Sequence, residues 1–183
     1  MEYRAHYESP LGGITMTCDG SALTELRFNT REETPAQDVP QDERYSCDMD
    51  LPPEAAAVFA ETVRWLDLFF AGKDPGFTPA LAPEGTAFRK HVWELLLEIP
   101  YGETVTYGQI AERIAEERGL TRMSAQAVGG AVGSNPIPLI IPCHRVIGAD
   151  GSLVGYGCGL WRKERLLALE QGMTGEEGDK TDD

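Results

Sequence analysis

At 183 residues with 42% hydrophobic side chains, the chain is sized for one domain or two small ones around an ordinary core, and no run of about 18 apolar residues is present to cross a membrane. The start of the chain lacks a basic and apolar leader, and Cys18, Cys47, Cys143 and Cys158 have no disulfide-type spacing, so a reducing, cytoplasmic setting is expected. A formal net charge of -14 argues, as a whole-chain figure, against nucleic acid as a partner, because phosphate contacts need Lys and Arg.

Three short segments with β-type alternation come first, Glu2 to Ser9, Gly12 to Asp19 and Ala22 to Asn29, separated by turn signals at Pro10-Leu11-Gly12 and Asp19-Gly20. They predict an antiparallel meander. Residues Thr30 to Leu51 are polar, acidic and proline-containing, which favours a loop that is mobile or trims the edge of the sheet. A helix is expected from Pro52 or Pro53 to a stop at Gly72, with Ala55, Val58, Phe59, Val63, Leu66, Phe69 and Phe70 forming one apolar stripe against the meander.

Pro79 to Gly85 reads as a linker, and Thr86 as the cap of a helix over Ala87 to Glu98 with Phe88, Val92, Trp93, Leu96 and Leu97 on one face. Ile99-Pro100-Tyr101-Gly102 ends it. A helix over Tyr107 to Arg118, a turn at Gly119-Leu120-Thr121 and a third helix from Ser124 to Val132 follow, together a helix-turn-helix pattern. The third helix is built from small residues, among them Ala125, Ala127, Gly129, Gly130 and Ala131, although glycine inside a helix costs about 1 kcal/mol relative to alanine. Close packing against another helix or close backbone approach to a ligand groove would each compensate for that cost.

The apolar run Ile137 to Ile141 is rich in β-branched residues and proline and reads as a buried extended segment that delivers Cys143 and His144 to a rim. A thiol there is either a small buried hydrophobe or, if His144 and Arg145 raise its thiolate fraction, a nucleophile. Zinc is not expected, since no second Cys or His pair of ligand spacing accompanies Cys143-His144. Gly155-Tyr156-Gly157-Cys158-Gly159 is a small-residue loop suited to lying against a flat ring. Trp161 to Gln171 is the last helix, with Leu160, Leu166, Leu167 and Leu169 expected in the core, and residues 173–183 form an acidic tail expected to be disordered.

Taken together, Phe88-Arg89-Lys90-His91-Val92-Trp93, Ile99-Pro100-Tyr101-Gly102, Thr106-Tyr107-Gly108-Gln109-Ile110-Ala111, Ala127-Val128-Gly129-Gly130-Ala131, Ile141-Pro142-Cys143-His144-Arg145-Val146 and Gly159-Leu160-Trp161-Arg162-Lys163 resemble the O6-alkylguanine-DNA alkyltransferases, in that order and spacing. The resemblance is strong from Thr86 to Gly172 and loose before it. It implies an α/β N-terminal domain (1–80) with a small antiparallel sheet of RNase H-like type, then a mainly helical domain (86–172) with winged helix-turn-helix character. It also implies that the chain repairs double-stranded DNA as a monomer without cofactor, moving the alkyl group of O6-alkylguanine, or of O4-alkylthymine, irreversibly to Cys143. A metal in the N-terminal domain, as some relatives have, stays open, but His6, Cys18 and Cys47 do not make a convincing set of ligands.

The same resemblance implies roles for individual residues. His144 acts on Cys143 through a water and is oriented by Glu170; Tyr107 assists base rotation and donates a proton to the departing guanine. Asn135 ties the helix-turn-helix to the active-site segment, and Tyr156, Gly157 and Cys158 line the base pocket. The third helix, with Ala127, Gly129 and Gly130, enters the minor groove. Two residues depart from the family pattern. Gln126 stands where an arginine usually replaces the flipped base, which lowers the expected DNA affinity unless Arg122 substitutes, and Cys158 stands where glycine is common, either narrowing the pocket or adding a second thiol.

Charge distribution softens the objection to DNA: residues 86–172 hold nine basic and nine acidic side chains, whereas residues 1–85 hold six and sixteen. Arg89, Lys90, Arg122, Arg145, Arg162, Lys163 and Arg165 are the candidates for a local basic surface. Two alternatives stay open at this level. One is a non-transferring damaged-base sensor, whose members typically lack the cysteine; the other is an unrelated cysteine hydrolase, which would need an oxyanion hole.

Overall fold

The computed structural model describes residues 1–35 and 37–172; the expectation for the acidic tail, 173–183, lies outside the described residues. The meander forms as its alternation predicts, with β1 (Tyr3–Ser9), β2 (Gly12–Cys18) and β3 (Leu23–Phe28) antiparallel. Cross-strand rows Ala5-Met16-Leu26 and Tyr7-Ile14-Phe28 share the buried face. The segment after β3 trims the edge by contributing a two-residue strand, β4 (Tyr45–Ser46), which pairs with β1 so that the sheet order is β3-β2-β1-β4.

Against this sheet packs α1 (Pro53–Phe70), which starts at a proline already fixed in helical φ. Its buried face includes Thr62 and Trp65 in addition to the predicted positions, while Val63 and Phe70 are only half-buried. Thr62 is tolerated there because its hydroxyl donates to the Val58 carbonyl at 2.8 Å. Trp65 stacks on Phe69, centroids 5.1 Å apart.

The expected linker is pinned rather than free. Leu23 donates to the Ala80 carbonyl and accepts from Ala82 N, both at 2.8 Å, so the chain runs alongside β3 as one parallel bridge before the next helix. Helix α2 (Ala87–Leu96) then begins under a Thr86 side-chain cap on Arg89 N. Trp93 is buried, and its Nε1 donates to the Ala131 carbonyl at 2.9 Å. Leu97, predicted on the buried face, is instead 40% exposed, because the helix ends at Leu96 and the chain turns.

The helix-turn-helix is α3 (Tyr107–Glu117) and α4 (Ala125–Gly133). Thr106 and Gln109 close a full capping box on α3, and Ser124 caps α4 through Gln126 N and Ala127 N. Gly119 takes the left-handed conformation, φ 66°, that stops α3. Beside it, β5 (Val105–Thr106) and β6 (Val146–Ile147) pair in parallel, and α5 (Leu160–Glu170) ends the described chain.

Two expectations are corrected in this half. In α5 only Leu166 of the four leucines is fully buried and Leu160 is 48% exposed; the inward positions belong to Arg162, Lys163 and Glu170. For the same reason Arg145, Arg162 and Lys163 are interior and do not contribute to a basic surface. Each has carbonyl or carboxylate partners, although Nη2 of Arg162 is buried without one among the described residues, and such partners are what periodicity of hydrophobic residues does not register.

The pinned segment generates a stability prediction. A Cβ on Gly85 would lie 2.6 Å from Cη2 of Trp93, a side chain held on every side. Gly85→Ala is expected to lower the unfolding free energy by roughly 1–3 kcal/mol through overpacking, read from urea denaturation, and an unchanged midpoint would mean that Trp93 yields easily.

Candidate active site

The segment carrying Cys143 is buried as expected but is not extended. Ile141 N bonds the Ile137 carbonyl at 3.0 Å, and Leu139 takes φ 78°, so the run folds back on itself. Pro136 and Pro138 remove two donors that a strand ladder would need, and Asn135 supplies the missing constraint. Its Nδ2 donates to the Ile141 carbonyl at 2.8 Å and its Oδ1 accepts from Ile137 N at 2.9 Å. Cys143 opens a single 3-10 turn, Cys143–Arg145, and β6 anchors the far end of that turn against β5.

Behind the thiol lies a fully buried ionic cluster. Glu170 Oε2 meets His144 Nε2 at 2.6 Å, and the same carboxylate accepts from Arg145 Nε and Nη2 at 2.8 and 2.9 Å and from Gly102 N at 3.1 Å. Arg145 Nη1 reaches the Ile99 carbonyl at 2.7 Å. The ring of His144 is bounded by Phe69 of α1, edge-on at 6.0 Å. His144 Nδ1 is buried and has no hydrogen-bond partner among the described residues. Because a carboxylate faces Nε2, the proton of the neutral ring belongs there and Nδ1 is the basic nitrogen.

Burial and these partners set the proton affinities. Burial pushes the Cys143 thiol up to about 12, against a pull in the other direction from the Asn135 side chain and, less, from Lys163. Burial also lowers His144, opposed by Glu170. For Glu170, burial alone would raise the carboxyl, but hydrogen bonds and charge from His144 and then Arg145 hold it well below the usual range. Tyr107 is raised by burial and by the neighbouring Cys143. The resting site therefore holds a protonated thiol, a neutral imidazole and an ionised carboxylate at neutral pH.

Cys143 opens into a cleft of about 820 Å³, large enough for a planar base and open to solvent. Its lining brings together Tyr107, Gln126, Gly129, Gly130, Asn135, Tyr156, Gly157 and Cys158 from α3, α4 and the loop before α5. The Tyr107 ring packs against α4 at Gly129, where a Cβ would stand 3.9 Å away in ordinary van der Waals contact. The Tyr107 hydroxyl donates to the Val154 carbonyl at 3.3 Å, and that of Tyr156 is buried between Cys143 and Cys158.

Not every candidate converges here. Arg122 lies in a separate depression of about 290 Å³ with Glu112 and Glu116, so it does not stand in for the missing arginine at the cleft. Ala127 is exposed on α4 outside the lining, and His144 and Glu170 form the wall behind the thiol rather than its surface. Two residues were not anticipated. Arg31 lines the cleft from a loop with no local signal, and Lys163 is fully buried, its Nζ donating to the Val154 carbonyl at 3.1 Å and lying 6.0 Å from both the Tyr107 and Tyr156 rings. Lys163 belongs to the Gly159-Leu160-Trp161-Arg162-Lys163 motif, but its charge alone points to exposure.

Known proteins match this arrangement along most of the chain. Residues 3–83 match the ribonuclease-like domain of 6-O-methylguanine DNA methyltransferase, and residues 87–172 match the DNA-binding domain of the same family. A methylated-DNA–protein-cysteine methyltransferase of Methanosarcina acetivorans is 43% identical over 171 residues, 92% of this chain and 97% of that one. The protein of that name from Mycobacterium leprae is 43% identical over 90% of this chain and 89% of its own. Among solved structures, Mycobacterium tuberculosis O6-methylguanine methyltransferase superposes with a TM-score of 0.69 at 40% identity over 95% of both chains, and M. tuberculosis OGT in complex with DNA with 0.67 at 40% over 92% of both. With a nucleophile, a histidine-carboxylate pair and a small-residue helix arranged around one cleft, and with identity this high over nearly the whole length, the chain belongs to the methylated-DNA–protein-cysteine methyltransferase family.

Proposed function

We propose that the protein repairs double-stranded DNA by moving the alkyl group of O6-alkylguanine, and by the same chemistry that of O4-alkylthymine, irreversibly to Cys143, once per molecule. The observation that carries this reading is a thiol lining an open cleft while the next residue in the chain, His144, is locked to Glu170 at 2.6 Å. We further assign two functional units, residues 1–80 and 86–172, a monomeric state and a cytoplasmic location.

In this mechanism α4 approaches the minor groove through its small residues Ala127, Gly129 and Gly130, and the damaged nucleotide turns out of the stack into the cleft. Gln126 hydrogen-bonds the orphaned partner base. It carries no charge, so affinity for DNA rests on few cations, is low, and falls only shallowly with salt. Tyr156 and the Gly157-Cys158 backbone hold the flat face and edge of the base.

Base entry displaces bulk solvent from the cleft and places the alkyl carbon in line with sulfur. Nδ1 of His144 takes the thiol proton through a bridging water, and Glu170 stabilises the imidazolium that results. The S–C bond forms as the O6–C bond breaks. Tyr107 supplies the proton that the departing guanine requires, and the proton held by His144 returns to Tyr107 through solvent once the base leaves, so that neither the base nor the site is left charged. The product thioether has no leaving step, so each molecule acts once. Cys158 narrows the floor of the cleft and disfavours bulky adducts.

Intact-protein mass after incubation with duplex DNA containing O6-methylguanine is expected to rise by about 14 Da, saturating at one methyl per chain, with no rise for Cys143→Ser. Binding of that DNA without any gain in mass would instead identify a damaged-base sensor. Cys158→Gly is expected to react faster than the parent with an O6-benzylguanine duplex and little differently with the O6-methyl one; equal ratios for both adducts would remove the steric argument.

Glu170→Gln leaves Arg145 buried without its carboxylate and is expected to cost about 3–5 kcal/mol of stability at pH 7. Because the folded-state pKa of Glu170 is depressed, its contribution is fully present above the unfolded value of about 4.3 and is lost as pH falls below it. The stability gap between wild type and variant, followed by urea denaturation, should therefore close as pH is lowered through that window, and a gap independent of pH would contradict the assignment.

A further inference from the structure

The proposed chemistry leaves Arg162 without a purpose, although it is fully buried and charged. No carboxylate among the described residues pairs with it. Its Nε donates to the Leu11 carbonyl at 2.9 Å, and its Nη1 to the carbonyls of Thr30 at 2.6 Å and Cys158 at 2.9 Å. The guanidinium lies 4.0 Å over the Phe28 ring. Burying a cation without a counter-ion costs several kcal/mol, so a purely structural contact would be served better by an apolar side chain of similar volume.

Its three acceptors come from three separate places. Leu11 is in the turn between β1 and β2, Thr30 follows β3, and Cys158 belongs to the wall of the cleft. That wall is loose by composition. Gly155 and Gly159 both take positive φ, 56° and 99°, and a Cβ on Gly155 or Gly157 would meet nothing within 4 Å, so its shape must be imposed from outside. The first turn of α5 grips it at both ends, Lys163 at the Val154 carbonyl and Arg162 at the Cys158 carbonyl. Gly12 makes way for the guanidinium, since a Cβ there would lie 2.9 Å from Nη2.

We propose that Arg162 is the positioning residue of the cleft, fixing the Tyr156–Cys158 wall to the N-terminal sheet at the distance a flipped base requires. The N-terminal unit then takes part in the reaction through the backbone carbonyls of Leu11 and Thr30, in addition to Arg31 at the cleft itself. This rests on the cleft being the base-accepting site. A planar fork can serve three carbonyls in different directions at once, which a lysine ammonium on its flexible stem cannot hold to the same geometry.

The test uses the full chain and the variants Arg162→Met and Arg162→Lys. Single-turnover transfer from an O6-methylguanine duplex is followed against DNA concentration, and separately iodoacetamide labelling of all four cysteines is followed without DNA. Arg162→Met is expected to slow saturating transfer by about 10-fold or more while the half-saturating DNA concentration stays within about two-fold, since a displaced wall spoils alignment rather than groove binding. Cys158 labelling should accelerate several-fold with Cys18, buried in the sheet, unchanged. Arg162→Lys should fall on the same side, less severely. Equal acceleration at Cys18 and Cys158, or unchanged Cys158 labelling in both variants, overturns the proposal. If wild type itself transfers nothing, the function proposed above fails, while the labelling still decides whether Arg162 holds the wall.

Discussion

The carboxylate of Glu170 is the point on which the active half of the molecule closes. It arrives at the last turn of α5 and is met by the imidazole and guanidinium of two consecutive residues in the Cys143 turn, and by a backbone amide of the turn after α2. Three segments far apart in the chain are thereby joined around one negative charge. A hydrophobic contact would hold them as firmly but would leave the direction of the histidine ring free. Charge-assisted bonds fix which nitrogen carries the proton, and so which nitrogen is basic.

That arrangement explains why the thiol can be so well buried. Cys143 at rest is held protonated by desolvation, which protects a residue that can be used only once from adventitious electrophiles. Activation has to be local and has to coincide with base entry. In the mechanism proposed above, the neutral His144, with Glu170 ready to balance the charge it would gain, makes deprotonation a change of partner within the site rather than a creation of isolated charge.

Much of this was legible in the amino-acid sequence, for reasons that differ by element. The meander, the caps at Thr86 and Thr106 and the helix-turn-helix follow local rules of alternation, capping and glycine placement, and the structure obeys them. Cys143, His144, Tyr107, Asn135 and Tyr156 were legible through motif order, and they do converge on one cleft or its wall. The errors share one cause. The Ile137–Ile141 run was read as extended because its residues are apolar and branched, but two prolines and one asparagine decide its path. Likewise α5 was read by its leucines, whereas its interior face is Arg162, Lys163 and Glu170.

Buried charge is invisible to hydrophobic periodicity because its cost is offset by partners distant in sequence. Glu170 lies 26 residues from His144, and Arg162 lies 151 from Leu11. The same point resolves the apparent conflict between a net charge of -14 and a DNA substrate. Several cations of the C-terminal half are committed to the interior, so they build the site rather than attract the phosphates, and the groove face is left with uncharged Gln126 and a stripe of small residues. Recognition on such a face depends on close shape fit and on a base already weakened in its pairing, not on long-range attraction.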